Sequence, residues 1–420
     1  MNMTNTSTDP NLNWKKNITL FLSSQTISMF GSSLVQYAIM WYITLATQSG
    51  IMMTIFILCG FIPTFLLSPF AGVWADRYNR KMLMILSDSM IALATLILAF
   101  LFMMGYDAMW LFFLVAAIRA LGTGIQTPAV GAVLPQIVPE EHLVKINGIN
   151  GSIQAVIMFI SPMVSAALIV ATSIEVILFI DVITAIIAVG ILLFFLRIPT
   201  HKKASEAQIT GYFNDFKEGL VYIKNHSFLK ILMSMFAVFF VLMAPAAFLT
   251  PIQVARTFGS EEWLLAAIEI AFSIGMMLGG GLIAGWGGFK NKIHTMAFAG
   301  LIMGVCTVAL GIVPNFWIYL IFMGIFGIAM PLFNTPTTVL IQEKVDPDYL
   351  GRVFGVFGMI STSMMPIGML IFGPIADYIE IEWLLIATGL IMTFLLIFLV
   401  KSNTLIEAGK PKAIEQIIEE

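Results

Sequence analysis

Residues 72–81 read GVWADRYNRK and carry four charges, Asp76, Arg77, Arg80 and Lys81, in a chain with only 11% charged residues. Long apolar runs flank this stretch on both sides. The gap between the runs is too short to be a domain, so we expect a tight turn at a membrane surface. The spacing of its glycine and charges is G-x-x-x-D-R-x-x-R-K.

The composition of the whole chain agrees with a membrane setting. Hydrophobic residues make up 59% of its 420 residues, and the mean hydropathy is +0.95. Soluble domains have about a quarter charged residues, so the sequence predicts a polytopic membrane protein and no nucleic-acid partner. Cys59 and Cys306 both lie inside apolar runs, and we expect no disulfide.

The apolar runs predict an all-α integral membrane fold with twelve transmembrane helices in two six-helix bundles. Each run is close to the ~20 residues that an α-helix needs to cross a bilayer, and none shows the short alternation of barrel strands. The first run is also too long for a cleaved signal. The predicted segments 1 to 12 are 17–46, 51–73, 82–104, 109–128, 147–171, 174–196, 228–250, 263–286, 293–313, 316–338, 353–376 and 383–400.

The orientation follows from the basic residues. Of the 21 Lys and Arg residues, all but Arg119 and Arg256 fall on one side if the N-terminus is inside. Basic loops stay in the cytoplasm. We therefore expect a multi-pass protein of the plasma membrane with both termini cytoplasmic.

The longest connection divides the chain into halves. Apolar residues in it, Phe213, Phe216, Leu220 and Ile223, have helical spacing, which is typical of a helix lying on the membrane surface. The predicted parts are a cytoplasmic N-terminal tail (1–16), an N-terminal six-helix bundle (17–196), a cytoplasmic linker with an amphipathic helix (197–227), a C-terminal six-helix bundle (228–400) and a cytoplasmic C-terminal tail (401–420).

The two halves repeat weakly. Pro128 and Pro139 are eleven residues apart in the first half, and Pro336 and Pro347 have the same spacing in the second. The charged turn also has a counterpart, in which Phe289 stands where the first half has its acid. Parallel repeats of six helices are an architecture of secondary transporters.

At this point the chain resembles a known family. GVWADRYNRK is similar to the signature loop between helices 2 and 3 of the major facilitator superfamily, with Asn79 in place of the usual glycine. The stretches PAVGAVLPQIVPEEHLVKING, ISPMVSA and PDYLGRVFGV resemble the macrolide-efflux branch of its twelve-helix drug–proton antiporters. The helix 4 pattern R-x-x-x-G is altered, because its glycine comes one residue early at Gly122.

The charged turn is a candidate conformational latch. An acid after the C-terminal end of a helix is unfavourable unless cations or another helix offset it, and the resemblance implies a latch on the cytoplasmic side. The alternative is an anchor at the positive-inside surface, although an anchor needs no acid. We also expect Asp88, seven residues past the turn, to join this network. The predicted latch residues are Gly72, Asp76, Arg77, Arg80, Lys81 and Asp88.

Three further charges lie well inside predicted membrane segments, away from their ends, and a charge costs about 2.5 to 3.5 kcal/mol at the helix centre on insertion scales. Arg119, Asp181 and Glu269 are therefore candidates for the proton or substrate site. Asp181 is a possible partner of Arg119. Glu269 is predicted to bind a proton or a cation, and the alternative is a structural hydrogen-bond partner.

Polar residues recur at helical spacing on segments 1, 4 and 5, and Met and Phe cluster on segments 7 and 10. The polar stripes predict a wet cavity, although a single stripe also joins neighbouring helices. Flexible Met suits a pocket for varied apolar ligands. The predicted cavity-lining residues are Gln25, Gln36, Thr123, Gln126, Gln154, Phe240 and Met330.

These features predict a secondary transporter. The sequence has no G-x-x-x-x-G-K-[ST] loop and no metal-ligand spacing, so we expect no catalytic residues, no metal and no cofactor, with the proton gradient as energy source. The expected partners are protons, the lipid bilayer and a small amphipathic, macrolide-like drug that a monomer exports by proton antiport. The alternatives are an exporter of a siderophore or other metabolite and, more remotely, a membrane enzyme or receptor.

Overall fold

The computed structural model describes residues 14–196 and 208–410. The predicted N-terminal tail therefore lies almost wholly outside the described residues, as do the start of the linker and residues 411–420. A few side chains within the helices are also outside the description, namely those of Pro69, Val73, Asp76, Glu140, Val144 and residues 208–215.

Fifteen α-helices make up the described part of the chain. In chain order they are α1 Trp14–Thr47, α2 Gly50–Arg77, α3 Arg80–Met103, α4 Trp110–Ile137, α5 Leu143–Ala171, α6 Ile174–Gly190, α7 Gln208–Asn225, α8 Ser227–Phe248, α9 Thr250–Thr257, α10 Glu262–Trp286, α11 Lys292–Leu310, α12 Phe316–Lys344, α13 Pro347–Ile375, α14 Ile381–Lys401 and α15 Asn403–Gly409. A 3₁₀ turn at Glu140–His142 precedes α5, and a π-helical segment at Ile191–Phe195 continues α6.

Twelve helices within residues 14–196 and 208–410 are long and apolar enough to cross a membrane. The expectation of a twelve-helix membrane fold is confirmed. Segment 7 is longer than predicted, because α9 continues α8 as far as Thr257. Pro251, in the first turn of α9, has no backbone N–H to donate, and the first turn of a helix has no use for one within the helix.

Asparagine side chains begin three of these helices. Asn79 accepts from the Met82 N–H at the start of α3, and Asn291 and Asn315 act in the same way for α11 and α12. A side-chain oxygen at this position satisfies an N–H that has no partner within the helix. Asn79, which replaces the glycine of the family signature, is therefore a helix cap.

The chain divides into two compact units, Met1–Ile43 with Ile55–Thr210 and Thr44–Thr54 with Gly211–Glu420. The division near the linker was expected. The sequence places the turn between α1 and α2 in the first bundle, so its grouping with the second unit was not expected. Its contacts are described below.

In the first unit, α3 lies against both α4 and α6. An apolar core at one end of the unit includes Phe21, Met84, Val133 and Leu192, all of them buried. Because α1, α3, α4 and α6 share this core, polar residues on their inner faces are brought together further along the same helices.

In the second unit, α10 and α12 approach closely at glycines. A Cβ on Gly275 would lie 2.1 Å from the Gly324 carbonyl oxygen, and one on Gly279 would lie 2.2 Å from that of Ile328. The absence of a side chain at these two glycines therefore lets α12 approach α10 closely.

Two smaller helices pack onto the second unit. The Tyr222 hydroxyl of α7 donates to Asp346, 2.9 Å away, and Arg352 of α13 pairs with Glu218. Ile223 is buried, whereas Leu220 is exposed, and the side chain of Phe213 lies outside the description. The predicted C-terminal tail begins with α15, where Leu405 is buried.

Candidate functional site

A buried ion pair occupies the centre of the first unit. The Arg119 guanidinium of α4 donates to the Asp181 carboxylate of α6, to the Thr95 hydroxyl at 2.7 Å and to the Ser32 carbonyl oxygen at 2.9 Å. The side chains of the pair are only 6% and 1% exposed. The sequence offered Asp181 as a partner of Arg119, and the structure brings the two together.

A second acid, Asp88 of α3, lies in the same unit. One oxygen of its carboxylate, Oδ1, accepts from the Ser28 hydroxyl at 2.7 Å and from the Gln126 side-chain amide at 2.8 Å. The other, Oδ2, is buried and has no hydrogen-bond partner among the described residues. The expectation that Asp88 extends the charged turn is corrected, since its seven-residue separation from Lys81 carries it two helical turns into the interior.

The polar stripe on α1 donates hydrogen bonds to Asp88 and Asp181. Ser28 binds Asp88, and the Ser32 hydroxyl donates to Asp181 at 3.0 Å. Gln25 is buried, and its amide nitrogen has no partner among the described residues, whereas Gln36 is exposed. Ser28 and Ser32 therefore join α1 to α3 and α6.

The other predicted lining residues of the first unit have mixed surroundings. On α4, Thr123 is exposed and Gln126 is half-buried. On α5, Gln154 is exposed, while Ser165 is buried and donates to the Leu34 carbonyl oxygen. The α5 stripe is thus accessible in its first half and packed against α1 further along.

The bases of the charged turn bind the ends of helices. Arg80 donates to the carbonyl oxygens of Ala75 and Ala132 at 2.8 and 2.7 Å. Lys81 donates to the Leu196 carbonyl oxygen at 2.8 Å. Cations near C-terminal helix ends offset the partial negative charge there, so these two bases hold α2, α4 and the extension of α6 together.

The rest of the predicted latch stays a prediction. The side chain of Asp76 lies outside the description, Arg77 is half-buried, and nothing lies within 4 Å of a Cβ built on Gly72.

Glu269 is the acid within the membrane-spanning helices of the second unit that the sequence singled out. It lies in the first half of α10 and is half-buried. No hydrogen bond or ion pair joins it to a described residue. It differs in this respect from Asp181, whose charge is compensated.

Phe240 and Met330 were expected to line a pocket in this unit. Phe240 is buried and packs on Phe236, with 5.7 Å between the ring centroids, and Phe239 stacks on Phe333. Phe240 therefore belongs to an aromatic core in this structure, and its expected lining role is revised. Met330 is half-buried.

Sequence reasoning missed a cluster around Asp377, in the loop after α13. Its carboxylate accepts from the Ser49 hydroxyl at 2.7 Å and from the backbone N–H groups of Gly50 and Ile51 at 2.7 and 3.0 Å. These N–H groups open α2 and have no partner within that helix. An anion at a helix N-terminus is also favoured by the helix dipole.

Arg256 completes this cluster. It donates to Asp377 at 3.1 Å, to the Ala376 carbonyl oxygen at 2.7 Å and to the Gln48 carbonyl oxygen at 3.0 Å. We call Gln48, Ser49, Gly50, Ile51, Arg256 and Asp377 the Asp377 clasp. The one signal for it in the sequence was Arg256, the basic residue that fell in a loop on the far side from the others.

The clasp alters the acidity of its central residue. Burial alone would raise the pKa of Asp377. Hydrogen bonds from Ser49, Ile51 and Gly50, together with the positive charge of Arg256, outweigh that effect and hold the pKa below its usual value. Asp377 is therefore ionised at neutral pH, as the contact with Arg256 requires.

Close packing supports the same contact. A Cβ on Gly50 would lie 2.1 Å from the Gly373 carbonyl oxygen, and the Thr54 hydroxyl donates to the Met369 carbonyl oxygen at 3.0 Å. The turn 44–54 is therefore held to α13 at several successive points. Within the described residues, no group of three or more His, Cys, Asp and Glu side chains is placed to hold a metal ion.

Comparison with known proteins agrees with this fold. The sequence profile of the Major Facilitator Superfamily matches residues 19–369 and 289–416. Macrolide efflux protein A of Streptococcus pyogenes is 31% identical over 383 residues, which are 90% of this chain and 94% of that protein. Macrolide efflux protein A of Enterococcus faecalis is 32% identical over 314 residues, which are 74% of this chain and 97% of that protein.

Solved structures share the architecture at low sequence identity. The nucleoside transporter NupG superposes with a TM-score of 0.68 at 14% identity, over 93% of this chain and all of that one. A bacterial homologue of the iron transporter ferroportin gives 0.67 at 14% identity, over 92% and 99%. These likenesses concern the fold alone. Together with the profile and the relatives, they establish that the chain belongs to the major facilitator superfamily, as a multi-pass membrane transporter of small molecules and not an enzyme.

Proposed function

We propose that this transporter exports amphipathic, macrolide-like drugs across the plasma membrane in exchange for protons, by alternating access. The observation that carries the proposal is the 31% identity to a macrolide efflux protein over 90% of this chain. The match extends through both units, so it includes the helices that bear the buried acids.

Two acids are the proposed proton carriers. Glu269 is half-buried without a described partner, and Asp88 has one carboxylate oxygen without a described partner. An ionised carboxylate in such surroundings is costly, and binding a proton removes that cost. Asp181 is a weaker candidate because the adjacent Arg119 already compensates its charge.

The Asp377 clasp and the charged turn are the proposed conformational contacts. The clasp fixes the turn 44–54 through one carboxylate and one guanidinium, both on side chains that are partly exposed. Contacts of this kind form and break without unfolding the helices that carry them. We propose that the clasp opens and closes during the transport cycle and that the charged turn does the same on the cytoplasmic side.

The energy source is sufficient for such export. A proton that moves down a membrane potential gains about 2.3 kcal/mol per 100 mV. Because 1.4 kcal/mol corresponds to a tenfold ratio, one proton supports a drug gradient on the order of tens-fold.

Uptake of a labelled macrolide into inverted membrane vesicles tests the proposal. Vesicles that carry the protein should accumulate the drug when their interior is made more acidic than the medium. They should lose it when an ionophore collapses this gradient. Drug accumulation that persists after the ionophore is added would contradict proton antiport. An absence of uptake across a panel of macrolides and amphipathic dyes would contradict drug export and favour a siderophore or another metabolite.

A further inference from the structure

A groove of about 440 Å³ runs between α11 and α14 in the second unit. Phe298, Leu301, Ile397 and Val400 form much of its lining, and Thr393 is its single polar residue besides His294 and Lys401. The Thr393 hydroxyl already donates to the Gly389 carbonyl oxygen of its own helix. The groove therefore offers an apolar ligand a surface with no free polar group along most of its length.

The groove is open on the side of the molecule. The side chains of Phe298, Leu301, Ile397 and Val400 are 43%, 43%, 47% and 44% exposed. All four lie on helices that are long and apolar enough to span the membrane. A membrane-spanning surface of this kind faces the bilayer, so the molecules that reach it first are lipids.

Two basic side chains stand at one end of the groove. His294 lies in the first turn of α11 and Lys401 is the last residue of α14, and both are exposed. Neither forms a hydrogen bond or an ion pair with a described residue. The neighbouring Lys292 is already engaged, since it pairs with Glu343.

We propose that this groove binds one anionic phospholipid. An acyl chain lies along the apolar lining, and the phosphate of the headgroup pairs with Lys401 and His294. Basic groups beside transmembrane helices attract anionic headgroups, and this groove adds a continuous apolar path from that end into the membrane. A transported drug fits less well, because drug sites combine apolar walls with several polar groups that fix orientation.

Photolabelling tests the proposal on the full chain. The protein is placed in phosphatidylcholine nanodiscs that contain phosphatidylglycerol with a photoreactive acyl chain, and the adducts are mapped by mass spectrometry. Adducts should concentrate on α11 and α14 around Leu301 and Ile397. Photoreactive phosphatidylcholine at the same mole fraction should label these positions several-fold less.

Two variants separate the headgroup from the chain. Lys401→Gln should lower labelling by phosphatidylglycerol about fivefold, the ratio that corresponds to the loss of one base near an anionic surface. Leu301→Trp should lower it by filling the groove while both bases remain. Lys290→Gln removes an exposed base outside the groove and should leave labelling unchanged.

Three outcomes would overturn the assignment. Equal labelling by the two lipids would show that the groove does not select anionic headgroups. An equal effect of Lys290→Gln and Lys401→Gln would show that general surface charge, and not a site at Lys401, attracts the lipid. Loss of the adducts when a macrolide is added would assign the groove to the transported drug.

Discussion

The Arg119–Asp181 pair of the first unit and Glu269 of the second unit treat charge within the membrane in opposite ways. In the first, Arg119 and Asp181 neutralise each other, and hydrogen bonds from Thr95 and Ser32 surround the pair. In the second, Glu269 is half-buried on α10 and has no described partner. Both arrangements place a carboxylate in apolar surroundings, yet only one of them compensates it.

The difference separates two roles for a buried acid. A compensated carboxylate is held by its ionic partner, and the pair favours a fixed packing of its helices. An uncompensated carboxylate becomes neutral when it takes up a proton, and the proton stabilises it. On this basis we propose that the Arg119–Asp181 pair supplies a rigid frame and that Glu269 supplies exchangeable charge.

Arg119→Met should have the largest effect on stability. It leaves Asp181 buried without its cation, and breaking a buried pair in this way costs about 3–5 kcal/mol. The free energy of unfolding in mixed micelles measures the loss. Replacing both partners, as in Arg119→Met with Asp181→Leu, should recover most of it, because no charge then stays buried alone. A double variant as unstable as the single one would contradict the proposed frame.

Glu269→Gln should abolish gradient-driven drug accumulation in inverted vesicles, to the level seen after the gradient is collapsed. The amide cannot take up a proton, so coupling should be lost. Because it has nearly the same shape as the carboxyl group, the protein level and fold should be unchanged. Glu262→Gln makes the same substitution at an exposed position on the same helix and should transport normally. Normal coupling in the Glu269→Gln variant would contradict the assignment of the proton to Glu269 and would leave Asp88 as the candidate.

Asp377→Asn should weaken the Asp377 clasp by about 1.5–3 kcal/mol, the range for hydrogen bonds to a charged group. Accessibility of a cysteine placed at Met52 to a membrane-impermeant thiol reagent, measured in a variant without Cys59 and Cys306, reports the release of the turn. The reaction should be faster in the Asn variant and unchanged in Asp107→Asn, an exposed loop acid. Equal rates in all three proteins would show that the carboxylate does not hold the turn.

The pH dependence of the clasp has a definite sign. The pKa of Asp377 is lowered in the clasped state, so its contribution is complete above about 4, the ordinary value for Asp, and is lost as the pH falls through the lowered pKa. Cysteine accessibility at position 52 should therefore not change between about pH 7 and pH 5. Release of the turn within that range would contradict the assigned ion pair.

Lys292→Ala should have the smallest effect. Its pair with Glu343 resembles that of Arg119 with Asp181 in chemistry, but the side chains are 21% and 37% exposed. Exposed pairs contribute about 0.2–1 kcal/mol, so the free energy of unfolding should change by no more than that. A loss as large as that of Arg119→Met would show that exposure does not explain the contrast.

Much of the fold was predictable because a bilayer imposes simple rules. Continuous apolar runs require helices, and lone charges within them stand out, so Arg119, Asp181 and Glu269 were visible as candidates. Their partners were less visible, because helical spacing shows which residues share a face but not which face a neighbouring helix presents. Asp88 was placed with the charged turn for this reason, although it bonds Ser28 and Gln126.

The Asp377 clasp shows the same limit more strongly. Asp377 is one of several acids in short loops, and nothing in its local sequence points to Ser49. Two of its partners are backbone N–H groups, and a backbone group leaves no mark in a sequence. The predicted pocket-lining role of Phe240 met a different limit. An aromatic residue on a membrane helix has the same sequence pattern whether it faces a pocket or a neighbouring ring.

The sequence separation within the clasp bears on how the protein is made. Ser49 and Asp377 are 328 residues apart, and chains fold from the N-terminus during synthesis at about 5–20 residues per second. The first helical hairpin therefore waits roughly 16 to 66 seconds on the ribosome before its partner emerges. Closure of this contact is among the last steps of biogenesis, and a chain truncated before α13 leaves the start of α2 without its anion.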